Sequence, residues 1–520
     1  MKKLILLIPF LSCFNLLISQ NSAPNLTDVQ LSHDAANRLI TLTFDLLDVE
    51  SDTITIVLQQ STAGDNFVPV TNATGDFGFP ILIGNSKSIS WQYDAGTDLS
   101  KIKLKLMAYD RHAPSIADMV ALVSQDSLKS NLEAIVGVRH YTAAPAKLAE
   151  VENYISNKMS AAGLTQRNHS FMYNNKAFNN IIGQKEGLYN NQLCLINGHF
   201  DSASNAPGAD DNGTGVVGVL EAMRVLKDYS FENNIQFTNF NLEELGLIGS
   251  SKYVTGGIKA GDKIKGLVNY EMIGYSSEEP NSQTIPNGFE FLFPTQVTQI
   301  ISDQSRGNFI INCGNTASGA LNTMFNLAAG EYVPSLKVIS LVVPGTGTIA
   351  QDLRRSDHAP FWDAGFPALM ITDGADTRNH NYHTAQDVLN TINFEFLTKV
   401  AAAGIATIAT LAKPINATSE TFDLATLSSK NIVKPAFELN IYPNPVKEIL
   451  SFQIKGLAKE QFLQVNIVDS KGAIVIEKNE KFNSNVSLTD VDVSKLAPGP
   501  YLLKIGSGQN AITSRFIIGK

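Results

Sequence analysis

Four short apolar runs punctuate the middle of the chain, at residues 193–198, 235–242, 267–273 and 368–372. Runs of this length read as buried strands, whereas apolar residues at a 3.6-residue period read as helices. Helical periodicity lies between several of the runs. Val216 to Leu226 is one such stretch. Residues 146–162 are another, with Leu148, Val151, Tyr154, Ile155 and Met159 on one face and Gly163 as the stop. Phe394 to Leu411 closes the region. Strands alternating with helices predict a mixed, mostly parallel sheet covered by helices over residues 115–412, an α/β fold.

The flanks follow a different period. Between residues 22 and 113, Ile40, Leu42 and Phe44 alternate with polar residues, as do Ile54, Ile56 and Leu58. Lys101-Ile102-Lys103-Leu104-Lys105-Leu106 is a strict wet-and-dry alternation. Several short strands with turns predict a β-sandwich, and the segment is similar to immunoglobulin-like or fibronectin III-like modules. Residues 413–436, rich in Ser, Thr and Asn, read as a linker. From 437 to 520 the chain reads as β again, so two β-sandwich domains are expected to flank the α/β unit.

Composition narrows the picture. A chain of 520 residues is long enough for about three to four domains. Hydrophobic content of 44% with 17% charged residues is that of a globular protein. A net charge of −9 argues against a nucleic-acid partner, which a basic face would attract. Lys2-Lys3, the apolar run from Leu4 to Ile18, and Ser19-Gln20 have the layout of a secretory signal peptide, residues 1–19. No later stretch reads as a membrane span. Cleavage would leave Cys194 and Cys313. Cys194, inside an expected buried strand, reads as a free core thiol, although pairing with Cys313 stays open.

The chemistry collects where the apolar runs end. His199 follows the first, Glu243-Glu244 the second, and Glu271 lies at the third. His383 sits on a loop after the fourth, and Asp211 precedes the Val216 helix. Ligands of open α/β sheets bind outside the carboxyl ends of the strands. Imidazoles and carboxylates gathered there suit zinc. Of two adjacent strand-end carboxylates, one can bind metal while the other takes a proton from water.

Five motifs in order make a more specific likeness. They are His199-Phe200-Asp201, Gly208-Ala209-Asp210-Asp211-Asn212-Gly213-Thr214-Gly215, Glu243-Glu244-Leu245-Gly246, Glu271-Met272-Ile273-Gly274-Tyr275 and Tyr382-His383-Thr384. Together they resemble the two-zinc aminopeptidases of peptidase family M28, clan MH. The resemblance implies a zinc exopeptidase-like fold and two Zn²⁺ ions. Asp211 would bridge them, His199 and Glu271 would complete one site, and Glu244 and His383 the other. It also implies that Glu243 is the general base, that Tyr382 stabilises the oxyanion, and that Asp201 orients His199 from behind. The Asp211–Asn212 peptide is expected to be cis. Many members carry Asp where this chain has Glu271, a departure that bears on substrate preference. Carboxypeptidase and glutaminyl cyclase activities occur on related folds, and a catalytically dead surface adhesin is the non-enzyme alternative. Asp357-His358 reads as pocket scaffolding, Arg354 and Arg355 as solvated charges, and His380 as a residue without a role.

The last segment carries its own likeness. Tyr442-Pro443-Asn444-Pro445, Leu496-Ala497-Pro498-Gly499-Pro500-Tyr501 and a basic tail resemble the C-terminal sorting domain of the type IX (Por) secretion system. That implies the type IX machinery as a partner. It also implies export past the outer membrane, while the aminopeptidase likeness implies peptides bearing a free N-terminus as substrates.

Overall fold

The computed structural model describes residues 22–62, 67–428, 438–455, 457, 461–469, 473–483, 486–506 and 512–519. The expected signal peptide lies outside the described residues. At the centre is a nine-stranded mixed sheet. Its order runs His169–Tyr173, Lys176–Lys185, Asn233–Phe240, Tyr189–His199, Lys263–Tyr270, Ala368–Thr372, Phe309–Asn315 and Lys337–Val343, with Thr165–Gln166 beside Lys176–Lys185. The four strands Asn233–Phe240, Tyr189–His199, Lys263–Tyr270 and Ala368–Thr372 are mutually parallel. These are the four apolar runs of the sequence. The antiparallel strands lie outside them.

Both faces of the parallel strands are buried, because alternate residues enter different cores. In Tyr189–His199, Cys194 and Ile196 join one apolar cluster while Leu193 and Leu195 join the other. This explains the continuous apolar runs: a strand covered on both sides has no wet face. Helices Pro145–Ala161, Gly215–Leu226, Gly319–Tyr332 and Phe394–Ala412 cover the first face. Phe394–Ala412 is long and apolar enough to cross a membrane by length and composition, yet 67% of its apolar window is buried inside the protein. It packs across the sheet, and Tyr270 donates to its Ala401 carbonyl at 3.2 Å. Gly404 permits this approach, since a Cβ there would run into the Tyr270 hydroxyl. Cys194 and Cys313 are both free and buried. Burial pushes the Cys194 thiol up to about 12.

The N-terminal β-unit packs two sheets around Ile40, Leu42, Phe44, Ile56, Leu58 and Leu104. One strand of it was not expected from the sequence. Ala417–Asp423 pairs antiparallel with Ile102–Tyr109, and Leu424 enters the same core. The first part of the expected 413–436 linker is therefore a sandwich strand followed by a helical turn, and residues 429–436 lie outside the described residues. The sequence Ala417-Thr418-Ser419-Glu420-Thr421-Phe422-Asp423 is polar because it pairs at a sheet edge with most side chains outward. Below it, Met107, Leu188 and Ile415 form a small apolar joint with the central unit. The C-terminal β-unit is a second pair of sheets, three- and four-stranded, around Phe452, Ile467, Leu503 and Phe516.

Leu424 is 2% exposed. Leu424→Ala is expected to destabilise the N-terminal sandwich by about 2–5 kcal/mol. The check is denaturant unfolding followed through Trp91, which lies in that core. A change near zero would mean that the segment behaves as a free linker.

Candidate metal centre

The carboxyl ends of the parallel strands converge on one buried cluster. His199 is the last residue of Tyr189–His199, and Glu271 directly follows Lys263–Tyr270. Glu243 and Glu244 lie just beyond Asn233–Phe240. Asp211 lies in the helical turn Ala209–Thr214 that enters helix Gly215–Leu226. His383 reaches in from a loop after Ala368–Thr372. The structure thus brings together all five residues expected as ligands, and Glu243 with them.

Nε2 of His199 lies 3.5 Å from Asp211 Oδ1, 3.5 Å from Glu271 Oε2 and 3.7 Å from Glu243 Oε2. Nε2 of His383 lies 3.0 Å from both Asp211 Oδ2 and Glu244 Oε2. Two donor groups result, His199–Glu243–Glu271 and Asp211–Glu244–His383, each with ligand atoms within 4.8 Å of one another. Asp211 touches both imidazoles, one with each oxygen. The distances alone do not separate Glu243 from Asp211 as the third partner of His199.

A second layer fixes these groups through backbone and side-chain hydrogen bonds. Asp201 has two tasks. Its carbonyl oxygen lies 3.2 Å from His199 Nδ1, and its carboxylate accepts the amides of Glu243 and Glu244 at 3.0 and 3.2 Å. Asp387 accepts the amides of Asp210 and Asp211 at 2.8 and 3.0 Å. Ser356 donates to Glu271 Oε2 at 2.6 Å and is itself held by Asn269, which accepts from Asn197. The Asn212 amide nitrogen donates to the Tyr270 carbonyl at 2.8 Å. Fully buried Arg139 donates to the carbonyls of Gly137, Phe200, Pro207 and Gly208 and so pins the loop between His199 and Asp211. The Asp211–Asn212 peptide is cis, in line with the resemblance. Leu242, Leu247, Met272 and His383, all beside the cluster, adopt the left-handed region that few side chains favour.

None of Asp387, Ser356 and Arg139 was marked by the sequence as part of the site. Asp387 is four residues from His383 and Ser356 directly precedes Asp357-His358, but neither carries a spacing that announces an amide or carboxylate partner. Arg139 stands in a stretch without any motif. Asp357 is fully buried, and burial pushes its carboxyl up to about 7. Burial pushes its neighbour His358 down to about 3, while its Nε2 pairs with the Leu353 carbonyl at 2.9 Å.

The cluster carries excess negative charge. Burial raises the Glu243 carboxyl well above its usual range despite His199, and Glu271 adds to this. Burial and Asp211 together push Glu244 up to about 7. Burial disfavours a charged His383, yet Asp211 and Glu244 hold it up to about 10. His199 is likewise held well above its ordinary value, against burial, by Glu243 and Glu271. Protons stand here where a stronger cation is called for. His199 Nε2 and Glu244 Oε1 are buried without a hydrogen-bond partner. Nitrogen and oxygen donors, orphaned and aimed at one centre, fit a divalent metal of the zinc type.

Tyr382 stacks on His383 with ring centroids 3.8 Å apart, and Arg355 donates to its hydroxyl at 3.0 Å. Arg355 is exposed, as expected from the sequence, but it also pairs with Asp376 and Tyr382. Arg354 instead pairs with Asp363. Glu271, Arg355 and Tyr382 line a cavity of about 350 Å³ whose walls include apolar Phe289, Phe293, Phe309, Ile339, Leu341 and Met370 and polar Gln283, Gln296 and Asp376.

Comparison with known proteins gives the family of the central unit. Residues 180–408 match peptidase family M28, and residues 440–519 match the secretion-system C-terminal sorting domain. Residues 180–408 are a peptidase family M28 domain. The chain is similar to the uncharacterized protein YfbL of Escherichia coli, at 28% identity over 287 residues, covering 52% of this chain and 84% of that protein. It is also similar to leucine aminopeptidase 1 of Arthroderma otae, at 25% identity over 324 residues, covering 58% and 78%. Among solved structures, the LapA aminopeptidase of Legionella pneumophila aligns over 57% of this chain and 73% of its own, with 18% identity and a TM-score of 0.44. The peptidase domain is thus a hydrolase by family. The sorting domain indicates type IX secretion, to the extracellular space or the cell surface.

Two outcomes are expected from this arrangement. Asp387→Ala leaves two buried amides without an acceptor, and metal affinity, measured by chelator competition, is expected to fall about 10–100-fold. Metal binding to the metal-free protein is expected to release protons, because His383 is held protonated up to about 10 and only neutral imidazole ligates. Affinity therefore weakens as pH falls. Calorimetric heats that do not change with buffer ionisation enthalpy would contradict this.

Proposed function

We propose that the chain is an exported di-zinc aminopeptidase that removes N-terminal residues from peptides. The observation that carries this reading is the pair of donor groups joined through Asp211. His199 and Glu271 would hold one ion, Glu244 and His383 the other, and Asp211 would lie between them. Zinc bound there would polarise the scissile carbonyl and lower the pKa of the attacking water toward about 7.

The chain's own residues supply the rest. Glu243 is the general base: it takes a proton from the attacking water and delivers it to the leaving amine. Burial raises its carboxyl well above the usual range, which strengthens it as a proton acceptor. Tyr382 donates its hydroxyl hydrogen to the carbonyl oxygen as charge develops there. Glu271 and Glu243 face the substrate's α-amine, a cation that suits the surplus of carboxylates. The cavity beside Glu271 and Tyr382 receives the side chain of the first residue. The sorting domain, with the signal peptide expected at residues 1–19, supports an activity outside the cell. Two separate donor groups favour this reading over a one-zinc glutaminyl cyclase.

Glu243→Gln is expected to lower kcat by at least about 100-fold while metal analysis still finds two zinc ions per chain. Retained turnover would move the base elsewhere, and a single ion per chain would favour the cyclase. The apolar part of the cavity wall, Phe289, Phe293, Phe309, Ile339, Leu341 and Met370, predicts large apolar first residues. Leucyl and phenylalanyl chromogenic amides are expected to exceed glycyl and glutamyl ones by about 10–100-fold in kcat/KM, the worth of burying one such side chain. A flat profile across that panel would assign the cavity to something other than the first side chain. An N-acetylated peptide cleaved as fast as its free-amine form would count against the aminopeptidase reading.

A further inference from the structure

Arg355 is tied at both ends. Nη1 donates to Asp376 Oδ2 at 3.0 Å, and Nη2 donates to the Tyr382 hydroxyl oxygen at 3.0 Å. Its guanidinium carbon lies 5.6 Å from the centre of the Tyr382 ring. The opposite constraint on that ring is the stack against His383, at 3.8 Å and 17°. Tyr382 is thus fixed at its ring by an imidazole and at its oxygen by a guanidinium, and the guanidinium is fixed by a carboxylate. All three of Arg355, Asp376 and Tyr382 line the cavity together with Glu271.

The direction of the Arg355–Tyr382 bond matters. A guanidinium has only donors, so Tyr382 can only accept from it. Accepting leaves the phenolic hydrogen free to point elsewhere. A hydroxyl that accepts from a cation also becomes a stronger donor, because hydrogen bonds in series polarise one another. Among the described residues, Arg355 is the one shown hydrogen-bonded to the phenol oxygen. The arrangement turns a rotatable hydroxyl into a donor aimed in advance, which is the property an oxyanion-stabilising group needs.

We propose that Arg355, held by Asp376, is a positioning residue that orients and strengthens the Tyr382 hydroxyl for the substrate carbonyl. The inference rests on the aminopeptidase reading above and adds to it a residue whose influence passes wholly through Tyr382. Arg355 lines the cavity but belongs to neither donor group, and its assigned role is exerted on the Tyr382 hydroxyl. Lysine cannot replace it, since a single ammonium lacks the planar fork that spans two partners in fixed directions.

The test is a double-mutant cycle in the full-length, zinc-loaded protein on leucyl and phenylalanyl chromogenic amides. Tyr382→Phe is expected to lower kcat about 100-fold. Arg355→Ala is expected to lower kcat about tenfold, the cost of one charge-assisted hydrogen bond, with KM changed less than about twofold and zinc content unchanged. In the Tyr382→Phe background the Arg355→Ala loss is expected to vanish, because its target is gone. Asp376→Asn, which frees Arg355 without removing it, is expected to give a smaller kcat loss that also vanishes with Tyr382→Phe. Multiplicative losses in the double variant would overturn the proposal, as would an Arg355→Ala effect confined to KM. If Arg355→Ala loses zinc or fails to fold, Asp376→Asn decides by the same cycle. A parent protein without chelator-sensitive turnover would instead overturn the aminopeptidase reading itself, so the two failures are distinguishable.

Discussion

Crowding of carboxylates around two imidazoles is the constraint on which the site depends. Asp201, Asp211, Glu243, Glu244 and Glu271 surround His199 and His383 within ion-pair reach. Buried like charges repel strongly, and removing them from water costs several kcal/mol each. The cluster persists because its carboxylates accept amide and hydroxyl hydrogens and because the site invites cations. The raised imidazoles have the same cause: the surrounding carboxylates favour their charged form. In the proposed reading the same surplus would suit a substrate's α-ammonium, so metal binding and amine binding would both follow from one charge arrangement.

The scaffold meets this constraint by placing each group where backbone donors are plentiful. Parallel strands end together, and the loops beyond them expose unpaired amides. Asp201 and Asp387 collect pairs of those amides, which orders the Glu243–Glu244 and Asp210–Asp211 segments at once. Asn212, Ser356 and Asn269 extend the network to Glu271. Arg139 closes the loop from the other side through carbonyls. Most of these partners lie on different elements from the residues they hold. The site is therefore rigid through tertiary contacts rather than through any single loop.

The N-terminal unit is joined to this core more closely than a bead-on-a-string arrangement would suggest. The N-terminal sandwich is completed by Ala417–Asp423, which arrives after the whole central unit has been traversed. The joint of Met107, Leu188 and Ile415 then couples the sandwich to the sheet. The sandwich and the peptidase domain thus share one covalent circuit, whereas the sorting domain begins beyond it.

What the sequence determined by itself is the set of elements whose signal is local. The four parallel strands were visible because burial on both faces leaves unbroken apolar runs. The helices were visible by period. The positions of His199, Asp211, Glu243, Glu244, Glu271 and His383 were visible because strand ends and family motifs coincide. The Ala417–Asp423 strand was not visible, because an edge strand with outward side chains has the composition of a linker. Strands Phe309–Asn315 and Lys337–Val343 add an antiparallel junction and the far wall of the cavity, and their place in the sheet depends on pairing across long separations. Asp387, Ser356 and Arg139 bond to backbone groups far away in the chain, and a backbone amide has no sequence identity to match. Arg355 is the surface charge it looked like, and only folding shows that Tyr382 and Asp376 are its partners. Residue types and local periods are written along the chain. Which buried donor meets which acceptor is decided only when distant segments close on one another.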